Sequence, residues 1–475
     1  MPNTSTPGAA WTVPVRPWLF AESMVSVSIQ TLGCKLNQIE GESIAEAFSR
    51  EGFSVNAGDT ADILVINTCT VTSKSEQKAR RLIRKALKDN PLSCVIVTGC
   101  YAQMEAGNIA ALDEGEQFRR LFVLTGGRKT LLLDLPRLFR GKFNPAALSQ
   151  VLERYITAPE TVPGAISDPF RFNVKDFSFH SRPFLKIQDG CDRACSYCRV
   201  TLARGPSLSL DAPTLLSRLR ELEAAGHGEA VLTGVNLNQY QSAALDLGNV
   251  LEYLLANTRT IALRLSSLEP DGMTESLLQV LTNKRVRPHF HLSVQSGSSL
   301  ILDRMRRNYG PEEVETAVRR LRSLREDPFL ACDIIAGFPG ETPGEFAKTY
   351  ELCRRTGFAW IHAFPYSRRP GTEAWNFQDN VPEREAVSRV ESLINAARQG
   401  KAAYISRWAG KTVEAIVESS RGGAASAALS ENYLKLRIPL PKGQEPPPGT
   451  VIRCRIQEPL EPVDTHFDAI AELTS

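Results

Sequence analysis

From Phe184 onward the chain repeats one pattern: a short apolar run that reads as a strand, then a stretch with helical periodicity. The runs are FLKIQ (184–188), EAVLT (229–233), ALRLSS (262–267), FHLSV (290–294), LACDIIA (330–336) and WIHAFP (360–365). Strands separated by helices pair in parallel, because each helix returns the chain to the edge it started from. Six such units predict a partial TIM-like (β/α)6 barrel. Reacting groups in barrels of this kind sit on loops at the carboxyl ends of the strands. The loop after the first strand contains the run CDRACSYC.

Cys191, Cys195 and Cys198 in that run have the spacing C-x3-C-x2-C. Three thiolates so placed can ligate three irons of a four-iron cluster and leave the fourth without a protein ligand. S-adenosylmethionine can chelate an open iron through its amino and carboxylate groups, and an electron from the cluster then cleaves the sulfonium to a carbon radical. A zinc site would need four closed ligands, and no suitable fourth Cys or His stands near the loop. Later strand ends offer polar groups to a bound nucleoside amino acid: Gly234 and Asn236 in LTGVN, Ser266, Ser267 and Glu269 in RLSSLEP, Gln295 and Ser296 in VQSG, Gly337 and Glu341 in DIIAGFPGE. Each could be turn chemistry alone; recurrence at consecutive strand ends favours a shared pocket. His289 and His291 share one strand face, as hydrogen-bonded barrel residues or catalytic ones. Cys332, Cys353 and Cys454 lie in apolar segments and read as core.

The first part of the chain alternates too. VSVSIQTLG (25–33), DILVINTC, CVIVTGC and LFVLTGG (121–127) read as strands, with helices over NQIEGESIAEAFSREG and the basic SKSEQKARRLIRKALKDN. This is a doubly wound α/β domain over 24–140, and Cys34, Cys69 and Cys100 each fall just past a strand's carboxyl end. Ligands bind in the crevice at that edge; three buried core thiols is the other reading. Cys94 starts its strand, at the opposite end, and reads as structural. Residues 141–180 suit a connection with a helix near 146–156, ahead of the barrel at 181–400. From about 405, TVEAIVES, NYLKLRIPL and VIRCRIQE, separated by RGGAASAA and PKGQEPPPG, predict a small antiparallel β-barrel. Residues 1–23, upstream of Met24, read as a disordered extension.

A net charge of +3 over 475 residues permits a nucleic-acid partner without calling for one. No apolar run is long enough to span a membrane and no secretory block opens the chain, so a cytoplasmic protein is expected. Ten cysteines in that setting read as metal ligands or reactive thiols rather than disulfides.

In order along residues 25–460, TLGCKLNQIEGE, NTCTVT, TGCYAQ, FLKIQDGCDRACSYC, LTGVN, LSVQSG, GFPGET and FPYSRRPGT resemble the radical S-adenosylmethionine methylthiotransferase family. GCKLNQIEGE, NTCTVT and FPYSRRPGT are similar to its branch that modifies N6-threonylcarbamoyladenosine at tRNA position 37; the isopentenyladenosine branch shows GCQMN and the ribosomal-protein branch GCPKN. The resemblance implies two [4Fe-4S] clusters: a radical cluster on Cys191, Cys195 and Cys198, and an auxiliary cluster on Cys34, Cys69 and Cys100. It implies S-adenosylmethionine as both methyl donor and radical source, held by the pocket residues above together with Tyr197, and a 2-methylthio product. It implies an RNA-binding TRAM-type barrel at the C-terminus, where Lys411, Arg421, Lys435, Arg437, Lys442, Arg453 and Arg455 would meet phosphates and Tyr433 a base, the other reading being a solvated basic surface. Tyr366 and Arg369 would line the substrate opening. Implied partners are the tRNA anticodon stem-loop, a low-potential electron donor such as flavodoxin or ferredoxin, and a sulfur donor; the sequence does not fix the oligomeric state, and a monomer is favoured. The alternatives are another methylthiotransferase substrate, on isopentenyladenosine tRNA or a ribosomal-protein side chain, and a non-catalytic iron-sulfur RNA-binding regulator.

Overall fold

The first sheet is parallel throughout. Strands β1 (Ser26–Thr31), β2 (Ser54–Asn56), β3 (Ile63–Thr68), β4 (Cys94–Gly99) and β5 (Leu121–Val123) lie in the order β2-β1-β3-β4-β5. This is a computed structural model that describes residues 25–113, 119–138, 145–157, 168–175, 177–418, 425–441, 443–460 and 467–474. The extension 1–23, Arg421 and Lys442 lie outside the described residues. Every residue of β3 and β4 is buried, as central parallel strands covered on both faces must be. Their alternation splits the core: Ile63, Val65 and Ile96 meet Ile44 and Phe48 of helix α1 (Lys35–Arg50), while Leu64, Ile66, Val95 and Val97 meet Ala79, Ile83 and Ala86 of α2 (Ser73–Asp89). Thr72 starts α2 by accepting the Ser75 N–H. Strand β2 was not expected; its three residues carry no apolar alternation. The unit is completed by α3 (Cys100–Met104), α4 (Ala106–Ala110), α5 (Leu131–Leu138) and α6 (Pro145–Thr157).

The second unit is the six-stranded partial barrel. Its strands are β6 (Phe184–Lys186), which leads after Ile187 into β7 (Gln188–Asp189) paired with β8 (Leu208–Ser209); β9 (Glu229–Thr233); β10 (Ala262–Leu265) and β11 (Ser267–Leu268), one strand broken at Ser266; β12 (His289–Gln295); β13 (Phe329–Ala336); and β14 (Trp360–Pro365). Neighbours pair in parallel in chain order. Helix α7 (Val200–Arg204) buries no residue; Leu232, Leu265, Leu292 and Ile334 turn outward into one core with α8 (Ala212–Ala224), α9 (Leu247–Ala256), α10 (Glu275–Leu281), α11 (Ser299–Arg304), α12 (Pro311–Leu324) and α13 (Pro343–Thr356). Alternation on β12 leaves His289 and His291 on the opposite face, toward the bore. There His291 bonds the Ser267 hydroxyl at 2.8 Å and faces Asp333 at 3.1 Å.

Helix α14 (Glu383–Trp408) belongs to two cores: Val390, Leu393 and Ala397 join the barrel, and Tyr404 and Ile405 join the last unit. That unit is a closed barrel of β15 (Thr412–Glu418), β16 (Ala425–Ser430), β17 (Lys435–Pro439), β18 (Val451–Pro459) and β19 (Ala469–Leu473) in the order β15-β16-β17-β19-β18. It departs from the sequence expectation in three ways. It starts at Thr412, because α14 runs on past residue 405. Part of RGGAASAA, taken as a loop, supplies β16, whose Ala and Ser residues carry no strand signal. The β17–β19 pair is parallel, so the barrel is not wholly antiparallel.

This barrel seats on the amino ends of the larger barrel's strands. Arg264 donates to the carbonyls of Ser430 and Glu431 at 3.2 and 3.1 Å, and Tyr433 stacks on His289 with ring centroids 3.9 Å apart. Tyr433, expected to stack on RNA, is therefore engaged in the domain joint. Cys94, Cys332, Cys353 and Cys454 are buried, in keeping with a core role. Among the described residues, no helix is long and apolar enough to cross a membrane.

Candidate functional site

The CDRACSYC loop leaves β7 through Gly190, which has φ +70°. A Cβ there would stand 1.8 Å from the Pro206 carbonyl oxygen, so only glycine allows this turn. The loop then closes on its own sulfurs: the N–H groups of Arg193 and Val200 point at Sγ of Cys191 and Cys198, each at 3.4 Å. Arg307 Nη1 lies 3.2 Å from Cys195 Sγ, and its other terminal nitrogen is ion-paired with Glu269. Burial pushes the Cys198 thiol up to about 12, against the opposing Val200 N–H. Iron must displace that proton to bind.

The second set is built the same way. Gly33 and Gly99, with φ +102° and +98°, precede Cys34 and Cys100. A Cβ on Gly33 would lie 2.7 Å from Cys69 Sγ, and one on Gly99 2.2 Å from the Thr68 carbonyl. Cys34 caps α1, Cys69 follows β3 and receives the Val71 N–H at 3.4 Å, and Cys100 opens α3. The three come from adjacent strands of the sheet and stand within electrostatic reach of one another. Burial pushes Cys69 up to about 12. Among the described residues, no three potential ligands converge as a single metal ion would need, and a cubane holds its sulfurs farther apart than that. Each set offers only sulfur donors, with backbone N–H groups aimed at them and a guanidinium nearby. These donors fit a [4Fe-4S] cluster with one iron left open.

Two buried networks join the sets. Glu76 Oε1 receives Thr70 Oγ1 at 2.5 Å, Arg199 Nη1 at 3.1 Å, and Arg369. Thr70 follows Cys69 and Arg199 follows Cys198, so one carboxylate oxygen ties the two cysteine loops together. Arg369 also donates to the Thr70 carbonyl at 2.6 Å, and the Ser73 N–H donates to Ser367 Oγ at 2.9 Å. Nearby, Arg204 reaches Asp189 at 3.0 Å, Glu40 at 3.1 Å and Asn37 at 2.8 Å, while Lys186 and Lys129 also converge on Glu40. Burial would raise the Glu40 carboxyl; Arg204, Lys129 and Lys186 hold it well below the usual range. Arg369 is thus a buried clamp rather than a lining of the opening. Tyr366 bonds the Ala374 carbonyl at 3.2 Å and packs edge-on against Phe338. Sequence reasoning missed Glu76, Arg199, Arg204 and Glu40; the available signal was that Arg199 directly follows Cys198.

Around the Cys191 loop, Gly234 packs so closely that a Cβ would lie 2.8 Å from Gln188 Oε1, which also accepts the Asn236 N–H at 2.9 Å. The Asn236 side chain reaches the Cys191 thiol. Ser266 presents a buried hydroxyl without a partner among the described residues, and Ser267 and Glu269 are held by His291 and Arg307. Gln295 sits at a β-bulge with φ +67°, a strained position for a non-glycine residue. Gly337 turns with φ +77°, and Tyr197 packs edge-on against Phe338. Two expected pocket residues are instead used inside the scaffold. Ser296 is fully buried against Thr349 Oγ1 at 3.1 Å, and Glu341 pairs with Arg389 of α14 while accepting the Gly337 N–H at 2.6 Å.

Residues 26–118 match the uncharacterized protein family UPF0004, and residues 185–353 match the radical SAM superfamily. The threonylcarbamoyladenosine tRNA methylthiotransferase MtaB of Treponema pallidum is 41% identical, over 91% of this chain and 98% of that protein. The chain belongs to the radical S-adenosylmethionine methylthiotransferase family. The MtaB protein of Bacillus subtilis is 32% identical over 91% of this methylthiotransferase and 94% of its own length. Among solved structures, the radical S-adenosylmethionine methyltransferase TsrM of Kitasatospora setae aligns with TM-score 0.47 and 15% identity, covering 74% of each chain.

Proposed function

We propose that this methylthiotransferase adds a methylthio group to C2 of N6-threonylcarbamoyladenosine at tRNA position 37, in the cytoplasm, using two [4Fe-4S] clusters and S-adenosylmethionine. The observation that carries the reading is the Glu76 joint, which makes one site of two cysteine sets from different units. In the division of labour, residues 24–140 hold the auxiliary cluster, 141–180 connect, 181–400 hold the radical cluster and 405–475 bind RNA. When bound, the clusters and S-adenosylmethionine supply the radical and the methylthio group, chemistry that an unactivated aromatic C–H denies to acids and bases. Electrons come from a low-potential carrier such as flavodoxin or ferredoxin, and sulfur from a separate donor.

The chain's own residues bind and orient. Tyr197, Gly234, Asn236, Ser266, Ser267, Glu269, Gln295 and Gly337 surround S-adenosylmethionine at the Cys191 loop, with Arg307 fixing Glu269 beside Cys195. For the RNA, α2 offers a cationic track that starts at the Glu76 joint. Its seven Lys and Arg residues face only two acids, an excess larger than the +3 of the whole chain. Lys74, Lys78, Arg81, Lys85 and Lys88 form one exposed stripe, about 21 Å long at 1.5 Å per residue. Of these, among the described residues, only Lys85 has an acidic partner, Asp59, whereas α13 and α14 pair their cations within the helix, as in Lys348–Glu345 and Arg389–Glu385. On the C-terminal barrel Lys435, Arg437, Arg453 and Arg455 are exposed, while Lys411 is paired with Glu326. The test is nucleoside mass spectrometry of tRNA from a deletion strain. The 2-methylthio-threonylcarbamoyladenosine should vanish and return with the wild-type gene but not with Cys191→Ala; an unchanged level in a strain without a redundant enzyme overturns the reading.

A further inference from the structure

Lys35 is a cation with no ion-pair partner among the described residues. It is the first residue of α1, next to Cys34, at the positive end of a helix with no acid in its first turn. Both the dipole and partial burial disfavour an ammonium there, so its placement needs another reason. Ile39, one turn on, packs with Phe184 and Val231 of the partial barrel, so α1 closes against the bore and carries Lys35 into it. Arg182, Arg264 and Glu229 lie within electrostatic reach of its ammonium, and His289 and His362 feel its charge from their own strands. Those arginines are matched. Arg264 holds Glu229 at 2.6 and 2.9 Å, and Arg182 reaches Glu418 at 3.1 Å. Lys35 makes no hydrogen bond or ion pair among the described residues. A half-buried charge left unpaired is costly unless a ligand supplies the opposite sign.

Because Cys34 and Lys35 are consecutive, their Cα atoms are about 3.8 Å apart. A base held with C2 against the Cys34 set would therefore have its N6 substituent within the reach of the Lys35 side chain. Threonylcarbamoyladenosine carries one anionic group besides its phosphates, the carboxylate of the threonyl moiety. We propose that Lys35 binds this carboxylate and makes the bore specific for an acidic N6 substituent. The proposal rests on the reading that threonylcarbamoyladenosine is the substrate.

The test compares two anticodon-arm RNAs, one with threonylcarbamoyladenosine at position 37 and one with its threonyl methyl ester, which lacks only the charge. Each is assayed anaerobically with dithionite and S-adenosylmethionine. Losing one charge-assisted hydrogen bond should raise the wild-type KM for the ester about 10- to 100-fold, with a smaller change in kcat. Lys35→Met should show the raised KM for both RNAs, and Lys35→Arg should recover most of the preference for the acid. Iron and sulfide content shows whether each variant is loaded; if Lys35→Met is not, the wild-type comparison still decides. A wild type that treats acid and ester alike, or a loaded Lys35→Met that keeps the preference, overturns the carboxylate site. A wild type that makes no 2-methylthio product from the acid RNA overturns the substrate reading, and the site falls with it.

Discussion

Glu76→Gln keeps the shape of the joint and removes its charge. Arg369 and Arg199 are 3% and 4% exposed and share the Glu76 carboxylate. Without it, Arg199 keeps Glu105 at 3.2 Å, whereas Arg369 keeps only neutral oxygens such as the Thr70 carbonyl. Breaking a buried ion pair costs about 3–5 kcal/mol, and the surviving Glu105 contact argues for the lower end. About 3 kcal/mol is roughly a hundredfold shift toward arrangements in which the two cysteine loops have slipped apart. Cleavage of S-adenosylmethionine needs only the Cys191 set, while methylthio transfer needs both. The assay therefore measures 5′-deoxyadenosine and 2-methylthio nucleoside in the same anaerobic reactions. Misplacement on the ångström scale is enough to lower the transfer about 100-fold while cleavage falls only a few-fold. An iron-replete Glu76→Gln protein with the wild-type ratio of the two products would refute the reasoning.

Replacing Cys34, Cys69 and Cys100 together by alanine should remove about half of the iron and sulfide found by chemical analysis and leave S-adenosylmethionine cleavage; complete loss of iron would contradict two separate sets. Neutralising Lys78, Arg81 and Lys85 should lower the slope of log affinity for tRNA against log salt by about 2, and an unchanged slope would show that the α2 stripe is only solvated. Burial would raise Glu229, yet Arg264, Arg182 and Arg287 hold it down to about 2 in the folded chain. Its contribution, about 3 kcal/mol, is therefore fully present above pH 4.5, the unfolded value, and is lost as pH falls toward 2. Thermal melts across that window should show an acid limb that flattens in Glu229→Gln.

The barrel strands were legible because each is a compact apolar run, and the two cysteine sets because they fall at strand ends. What escaped was written in residues far apart. Glu76 lies 123 positions from Arg199 and 293 from Arg369, and no local pattern connects them. Tyr433 read as an exposed aromatic because its partner, His289, comes from another unit. Ser296 and Glu341 sit in loops that look like pocket edges, but polar side chains there serve equally to fasten a strand end to a helix. Strand β16 is mostly alanine and serine, residues that take their conformation from their neighbours in the closed barrel.

Three of the six cysteines in the two sets directly follow a glycine with positive φ, at Gly33, Gly99 and Gly190. The direction of each thiol is thus written into the main chain and locked by contacts made of protein alone. Such turns are closed to any side chain, so exchanging one of these glycines would misdirect a thiol while leaving every sulfur in place.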